Sequence, residues 1–177
     1  MKVDGKHFRS IWLELDGWSV GAIDQRRLPH EFVVSRIASA RDAGEAIRSM
    51  LVRGAPLIGA TAAYGVALAM RADASDAALE HACKMLVATR PTAINLKWAL
   101  DEMVRLLRPL PPSARIGTAY QRANAIAEED VAINQNIGRH GLALIEAIAS
   151  TKAGEPVNVL THCNAGWLAT VDFGTAT

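Results

Sequence analysis

The sequence predicts an α/β chain in which a small β-sheet precedes a bundle of helices. Three observations support this prediction. β-type alternation and turn signals occupy residues 1–35, a helical period governs residues 39–150, and a β-branched run returns at residues 157–161. We therefore expect a β-rich segment over 1–35, helices over 36–153, and the start of a second, incomplete domain over 154–177.

Composition and charge narrow the possible functions. Half of the 177 residues are apolar and 21% are charged, which is typical of a globular chain. The formal net charge is +1, from 19 basic and 18 acidic residues, so no long-range field attracts nucleic acid or an anionic membrane. We expect neither as a partner. Any anionic ligand must then be held by a few well-placed cations.

The two cysteines, Cys83 and Cys163, form no C-x-x-C pair and no disulfide framework. The N-terminus lacks the apolar run of a signal peptide, so a reducing cytoplasm is the expected location. The histidines show no metal-ligand spacing with each other or with the cysteines, and no metal site is expected. Cys83 lies within a helical pattern, which favours a packing role.

The β-rich segment contains two alternating runs and one short apolar run. Residues 7–15 alternate between polar and apolar, Asp16-Gly17 is a turn signal, and residues 18–23 resume β-type residues. Residues 32–34 form a further apolar run. These runs predict a small twisted sheet or a pair of hairpins.

The helical segment contains five candidate helices. Ser39 is placed to cap the first, with Asp42 in capping-box position, and Ser75 is placed to cap the third. The last predicted helix has a possible break near Gly138 or Gly141. The predicted helices run from 39 to about 52, from Pro56 to about 71, from 75 to about 88, from about 95 to 107, and from about 114 to 150.

The run Val157-Asn158-Val159-Leu160-Thr161 is typical of a buried parallel strand. A helix, a short turn, such a strand and a Gly-containing loop are the way a Rossmann-like domain begins. A single parallel strand cannot pair its own main-chain groups. We therefore expect the sequence to stop inside this second domain.

The segment Arg53-Gly54-Ala55-Pro56 precedes a predicted helix. Gly54 permits close approach of the backbone, the helix start offers free N–H groups, and Arg53 adds a bidentate donor, which together suit phosphate. The alternative is a plain turn with a solvated arginine. A nucleotide-binding loop is excluded, because Ala60-Thr61 stands where a Walker motif needs Lys followed by Ser or Thr.

The segment Arg90-Pro91-Thr92 also precedes a helix. Pro91 disfavours a helical conformation at Arg90, and Thr92 or Asn95 could cap the helix that follows. An arginine fixed before a helix start suits an anion. A well-capped loop between helices is equally compatible with the sequence.

Cys163 follows the predicted strand, within Thr161-His162-Cys163-Asn164-Ala165-Gly166. The carboxyl ends of parallel strands are where α/β domains bind ligands, and a helix start favours the thiolate. The alternative is a small, buried, inert cysteine. The polar residues 134–141 could face either a cavity or solvent.

Taken together, these segments resemble the methylthioribose-1-phosphate isomerase family, a relative of the regulatory subunits of translation initiation factor 2B. They occur in the family's order and span nearly the whole chain. The matching pieces are Ile23-Asp24-Gln25, Leu28-Pro29, Arg53-Gly54-Ala55-Pro56, Ala62-Ala63-Tyr64-Gly65, Arg90-Pro91-Thr92-Ala93, Asn95-Leu96, Leu160-Thr161-His162-Cys163-Asn164-Ala165-Gly166, Leu168-Ala169-Thr170 and Gly174-Thr175-Ala176.

The resemblance implies conversion of 5-methylthioribose 1-phosphate to 5-methylthioribulose 1-phosphate in methionine salvage, with no metal or nucleotide cofactor. It implies that Arg53, Gly54, Ala55 and Arg90 bind the substrate and that Cys163 is catalytic. It also implies a homodimer about twice this length per chain. The family's general-acid aspartate belongs to a later motif that no residue here matches, so these 177 residues alone are expected to be inactive.

Three other functions remain compatible with the sequence. The first is a non-catalytic regulatory or assembly subunit like those of initiation factor 2B. The second is an isomerase acting on ribose 1,5-bisphosphate, which would need a basic rather than an apolar pocket at the 5-position. The third is a helical interaction domain without an active site.

Overall fold

The computed structural model describes residues 2–162 and 164–176, and two small antiparallel sheets open the chain. Strands β1 (Lys2–Val3) and β2 (Lys6–His7) form a short hairpin. Strands β3 (Ile11–Leu13), β4 (Val20–Ile23) and β5 (Val34–Ile37) form the second sheet in the order β3-β4-β5. The register pairs Ile11 with Ala22 and Val20 with Ile37. The predicted N-terminal sheet is confirmed.

The strands are shorter than predicted, and contacts outside the sheet explain why. The N–H of Ser10 donates to the carbonyl of Val171 at 2.8 Å, so the predicted strand over 7–15 is interrupted before β3. Phe32 lies against the ring of Phe8, with 4.8 Å between ring centroids. The last strand therefore begins two residues later than its apolar run, at Val34.

Five α-helices follow within the described residues, and the second is the centre of the core. Helix α2 packs against each of the other four and buries almost all of its side chains. Its length and composition would suit a membrane span, but 78% of that window is buried, as in the core helix of a helical domain. The helices are α1 (Ala40–Arg48), α2 (Ala55–Ala72), α3 (Asp76–Val87), α4 (Ile94–Leu107) and α5 (Pro112–Ala149).

One predicted helix end is wrong, and the possible break in the last helix does not occur. Helix α1 ends at Arg48 rather than near residue 52, because Met50 adopts a positive φ of 58°. Helix α5 continues without a break through Gly138 and Gly141. A glycine at an interior helix position costs about 1 kcal/mol relative to alanine, which is too little to interrupt a helix of 38 residues.

The predicted strand over residues 157–161 is not formed, and the expected start of a Rossmann-like domain is therefore not confirmed. Residues 155–162 belong to no regular element. Val159 and Leu160 are 66% and 98% exposed. A parallel strand needs a neighbouring strand for its main-chain groups, and the described part of the chain supplies none there.

After this stretch the chain returns to the domain. Residues 164–176, called here the C-terminal loop, include one turn of 3₁₀ helix at Trp167–Ala169. Trp167, Ala169 and Val171 are buried in contact with the N-terminal elements. The C-terminal loop therefore completes the end of the core that contains the start of α2.

Candidate functional site

The starts of the first four helices fall into two groups. Helices α1 and α3 have serine caps: Ser39 Oγ accepts from the N–H of Asp42 at 3.1 Å, and Ser75 Oγ accepts from the N–H of Ala78 at 3.2 Å. Helices α2 and α4 begin after Gly54 and Ala93, and no described side chain caps either start. Their first-turn N–H groups are therefore available to a ligand.

Gly54 has a conformation and a position that only glycine can occupy. Its φ is 103°, in the region that favours glycine. A Cβ on Gly54 would lie 2.3 Å from the Cα of Ala169, inside the van der Waals contact distance. The C-terminal loop therefore lies directly against the turn that begins α2.

The starts of α2 and α4 are neighbours. A Cβ on Gly59, in the second turn of α2, would lie 3.1 Å from the carbonyl oxygen of Asn95 in the first turn of α4. A cavity of about 350 Å³ opens beside both helix starts. Its wall is mostly apolar, and two carboxylates of α5 contribute to it. It is lined by Pro56, Gly59, Asn95, Trp98, Ile126, Glu129, Asp130 and Ile133.

The two predicted binding arginines stand before these two helices. Arg53 and Arg90 are exposed, and neither side chain has a hydrogen bond or an ion pair with a residue that the structure describes. The carbonyl of Arg90 accepts from the N–H of Ala93 at 3.0 Å, which turns the chain into α4. Neither Thr92 nor Asn95 caps that helix, contrary to the prediction. The structure thus places Arg53, Gly54 and Ala55 at one uncapped start and Arg90 before the other.

The predicted catalytic residue, Cys163, lies outside the described residues. The C-terminal loop that follows it is held by the N-terminal elements. The side-chain amide of Gln25 donates to the carbonyl of Leu168 at 2.7 Å, and Ser10 Oγ donates to the carbonyl of Trp167 at 3.2 Å. Asp172 in this loop is buried, with its carboxylate 2.7 Å from His7 Nε2.

Sequence reasoning missed Asp130, which also contacts the C-terminal loop. Its Oδ2 accepts from the N–H of Val171 at 2.7 Å, and its Oδ1 accepts from Asn134 Nδ2 at 3.1 Å. Burial raises the pKa of Asp130, while these two hydrogen bonds oppose the shift. The available signal was Asn134, at the head of the polar run over 134–141, with Asp130 one turn earlier on the same face.

Cys83 shows the packing environment that its helical pattern predicts. It is partly buried against the core on α3, and burial raises the pKa of its thiol to about 11. The thiol is therefore protonated at neutral pH and is a poor nucleophile. Across the described residues, no three side chains among His, Cys, Asp and Glu are grouped as metal ligands.

The arrangement is suited to an anionic group attached to a partly apolar molecule. Two adjacent helix starts each contribute N–H groups and a partial positive charge of about half an elementary charge. Arg53 and Arg90 precede the two starts in the sequence, although neither is among the residues that line the cavity. An arginine guanidinium is a planar, bidentate donor that suits phosphate. The apolar part of the cavity wall can accept a group that does not bind water strongly.

Comparison with known proteins gives one matching family. The chain matches the initiation factor 2 subunit family over residues 51–172. It is 60% identical over 177 residues to the methylthioribose-1-phosphate isomerase of Rhodospirillum centenum, covering all of this chain and 47% of that protein. It is 61% identical over 176 residues to the enzyme of the same name from Paramagnetospirillum magneticum, covering 99% of this chain and 48% of that one.

Two crystal structures are similar to this chain. One is 5-methylthioribose 1-phosphate isomerase from Pyrococcus horikoshii, with a TM-score of 0.80, 38% identity, and coverage of 96% of this chain and 47% of that one. The other is the delta subunit of translation initiation factor eIF-2B from A. fulgidus, with a TM-score of 0.78, 34% identity, and coverage of 95% and 48%. The chain spans about half the length of the curated relatives that it matches.

Proposed function

The chain belongs to the initiation factor 2 subunit family, and we propose that it forms part of the substrate site of a methylthioribose-1-phosphate isomerase. The proposed reaction converts 5-methylthioribose 1-phosphate to its ketose, 5-methylthioribulose 1-phosphate, in the cytoplasm. One observation supports this most strongly: the adjacent, uncapped starts of α2 and α4 each follow an arginine without a described partner. The names of the similar proteins point to the same substrate.

The proposed site holds the substrate phosphate between the two helix starts. Arg53 and Arg90 pair with its oxygens, while the main-chain N–H groups at Gly54 and Ala55 donate from the turn before α2. Each hydrogen bond to a charged group contributes about 1.5–3 kcal/mol. This arrangement needs no metal to neutralise the phosphate.

The chemistry requires a group beyond the phosphate site. Because the phosphate is on the anomeric oxygen, the ring cannot open until the ring oxygen is protonated by a general acid. Cys163 is the proposed catalytic residue near the carbons that exchange oxidation state. Asp172 is not the acid in this proposal, because it is buried and already engaged with His7.

The cavity beside the helix starts favours methylthioribose over a bisphosphate. Its wall includes Pro56, Trp98 and Ile133, which suit a methylthio group. Asp130 lines the same cavity and would repel a second phosphate, whereas the charge of Glu129 is paired with Arg122 at 2.6 Å. The resemblance also predicts a homodimer, which sedimentation of the purified protein would test.

A regulatory or assembly role is the second candidate. The similarity to the eIF-2B delta subunit supports it, with a TM-score of 0.78. Such a role would not require an arginine before each uncapped helix start. Failure to bind a sugar phosphate at this site would favour the regulatory role.

The substitutions Arg53→Ala and Arg90→Ala test the proposed function. Each is expected to weaken binding of 5-methylthioribose 1-phosphate about 10- to 100-fold, since each removes charge-assisted hydrogen bonds. Titration calorimetry on the 177-residue chain measures the affinity, and turnover is assayed on the protein expressed from its natural gene. Cys163→Ser is expected to abolish turnover while retaining binding.

Arg41→Ala is the matched control. Arg41 is exposed in the first turn of α1 and has no described ion pair, but that helix start is capped by Ser39. Its removal is expected to leave affinity unchanged. Equal losses from all three arginine substitutions would show that only general charge is involved and would contradict the proposed site.

A further inference from the structure

A carboxylate on α5 joins that helix to the C-terminal loop. Asp130 Oδ2 accepts from the main-chain N–H of Val171 at 2.7 Å. Asn134 Nδ2 donates both to Asp130 Oδ1 at 3.1 Å and to the Asp130 carbonyl at 2.8 Å. Asn134 is 1% exposed, so this pair fixes the orientation of the carboxylate from within the domain.

The same loop is held on its other sides. The N–H of Ser10 donates to the Val171 carbonyl at 2.8 Å, so both main-chain groups of Val171 are engaged by different elements. The Gln25 amide holds the Leu168 carbonyl at 2.7 Å. On the third side, the backbone of Ala169 leaves no room for a Cβ at Gly54. A small displacement of the loop would therefore change its contact with the start of α2.

Asp130 also faces the proposed substrate site. It lines the cavity beside Pro56 and Asn95, which belong to the first turns of α2 and α4. One carboxylate thus lies between the cavity and the loop that follows Cys163. No sequence motif connects these parts, since Asp130 and Val171 are 41 positions apart.

We propose that Asp130 is a positioning residue that fixes the C-terminal loop, which follows the proposed catalytic Cys163 in the sequence, against the start of α2. This proposal rests on the proposed function. Asp130 acts through the Val171 N–H rather than on the reacting atoms. A displacement of about 1 Å in a reacting group can reduce a rate about 10²-fold, so loss of this contact is expected to affect turnover more than binding.

The test compares Asp130→Ala with Asp130→Asn. The alanine variant is expected to lower kcat on the order of 10²-fold, with KM changed less than about threefold, because the phosphate contacts remain. The asparagine variant keeps an oxygen that can accept from Val171, so it is expected to recover most of the lost kcat. Turnover is measured on the protein expressed from its natural gene.

Hydrogen exchange measured on the 177-residue chain is a second readout that does not depend on turnover. Asp130→Ala is expected to increase exchange within residues 164–176 while the amides of α2 and α4 keep their protection. Glu146→Ala is the matched control, because Glu146 is an exposed carboxylate on the same helix with no described ion pair. It is expected to change neither exchange nor turnover.

The outcomes separate the two proposals. Unchanged exchange in the C-terminal loop of Asp130→Ala, or increased exchange spread evenly over all helices, would overturn the positioning role. A kcat equal to that of the unsubstituted protein would overturn it as well. If the unsubstituted protein binds and converts no sugar phosphate, the proposed function fails, and the exchange result alone decides whether Asp130 holds the loop.

Discussion

The starts of α1 and α3 differ from the starts of α2 and α4 in what satisfies their first-turn N–H groups. Ser39 and Ser75 cap the first pair within the chain. No described side chain caps the second pair, and each of those starts follows an exposed arginine. A helix start therefore becomes a candidate ligand site when the chain leaves its N–H groups unused.

Helix α5 shows that an uncapped start is not sufficient to make a candidate ligand site. It begins at Pro112 without a side-chain cap, but its first-turn arginine is engaged within the protein. Arg115 is 3% exposed and donates to the carbonyls of Leu110 and Ala74, each at 2.9 Å. The candidate site therefore requires both unused N–H groups and an arginine that remains available.

The largest change in the free energy of unfolding is expected from Gly54→Ala. The substitution forces an L-residue into a φ of 103° and places its Cβ 2.3 Å from Ala169. We expect a loss of about 3 kcal/mol or more in the free energy of unfolding, measured by urea denaturation. Gly117→Ala is the control, since nothing lies within 4 Å of its Cβ position on α5. That variant is expected to gain about 0.5–1 kcal/mol, and equal effects at both glycines would refute the close approach.

Adding a cap to α4 is expected to increase the stability of the protein while lowering its affinity for the substrate. Ala93 has the extended backbone of an N-cap residue, with φ −80° and ψ 103°. Ala93→Asp should stabilise the helix by about 0.5–1 kcal/mol while weakening binding of 5-methylthioribose 1-phosphate about tenfold, because its charge and its oxygen compete with the phosphate. Ala93→Ser is the uncharged control, for which a smaller loss is expected. Tighter binding by the aspartate variant would contradict the anion site.

The smallest effect on the site is expected from removing the existing caps. Ser39→Ala and Ser75→Ala should each reduce the free energy of unfolding by about 1 kcal/mol, because each leaves a first-turn N–H group without its acceptor. Affinity for the sugar phosphate should not change in either variant. A loss of affinity on removing a cap from α1 or α3 would mean that ligand binding depends on general stability rather than on the two uncapped starts.

The features that the sequence predicted well depend on local chemistry. Ser39 and Ser75 were recognised as caps because the acceptor and the donor lie within three residues of each other. The start of α2 was recognised from Pro56 in its first turn. The roles of Arg53, Gly54, Ala55, Arg90 and Cys163 stay predictions that the experiments above test.

The features that the sequence did not predict depend on distant partners. Asp130 gains its place from Val171, and no local pattern encodes that contact. The contact between Gly54 and Ala169 likewise joins residues more than a hundred positions apart. The prediction of a strand over 157–161 was wrong because a strand also depends on a distant partner. The described residues provide no neighbouring strand for it.

Nuclear magnetic resonance of the ¹⁵N-labelled 177-residue chain, titrated with 5-methylthioribose 1-phosphate, tests whether the two uncapped helix starts bind the substrate. We expect the largest amide shifts at the first turns of α2 and α4, at Ala55, Leu57, Ile94 and Asn95. We expect little change at the capped starts of α1 and α3. Shifts of equal size at the capped starts, or no shifts at α2 and α4, would contradict phosphate binding at the two uncapped starts.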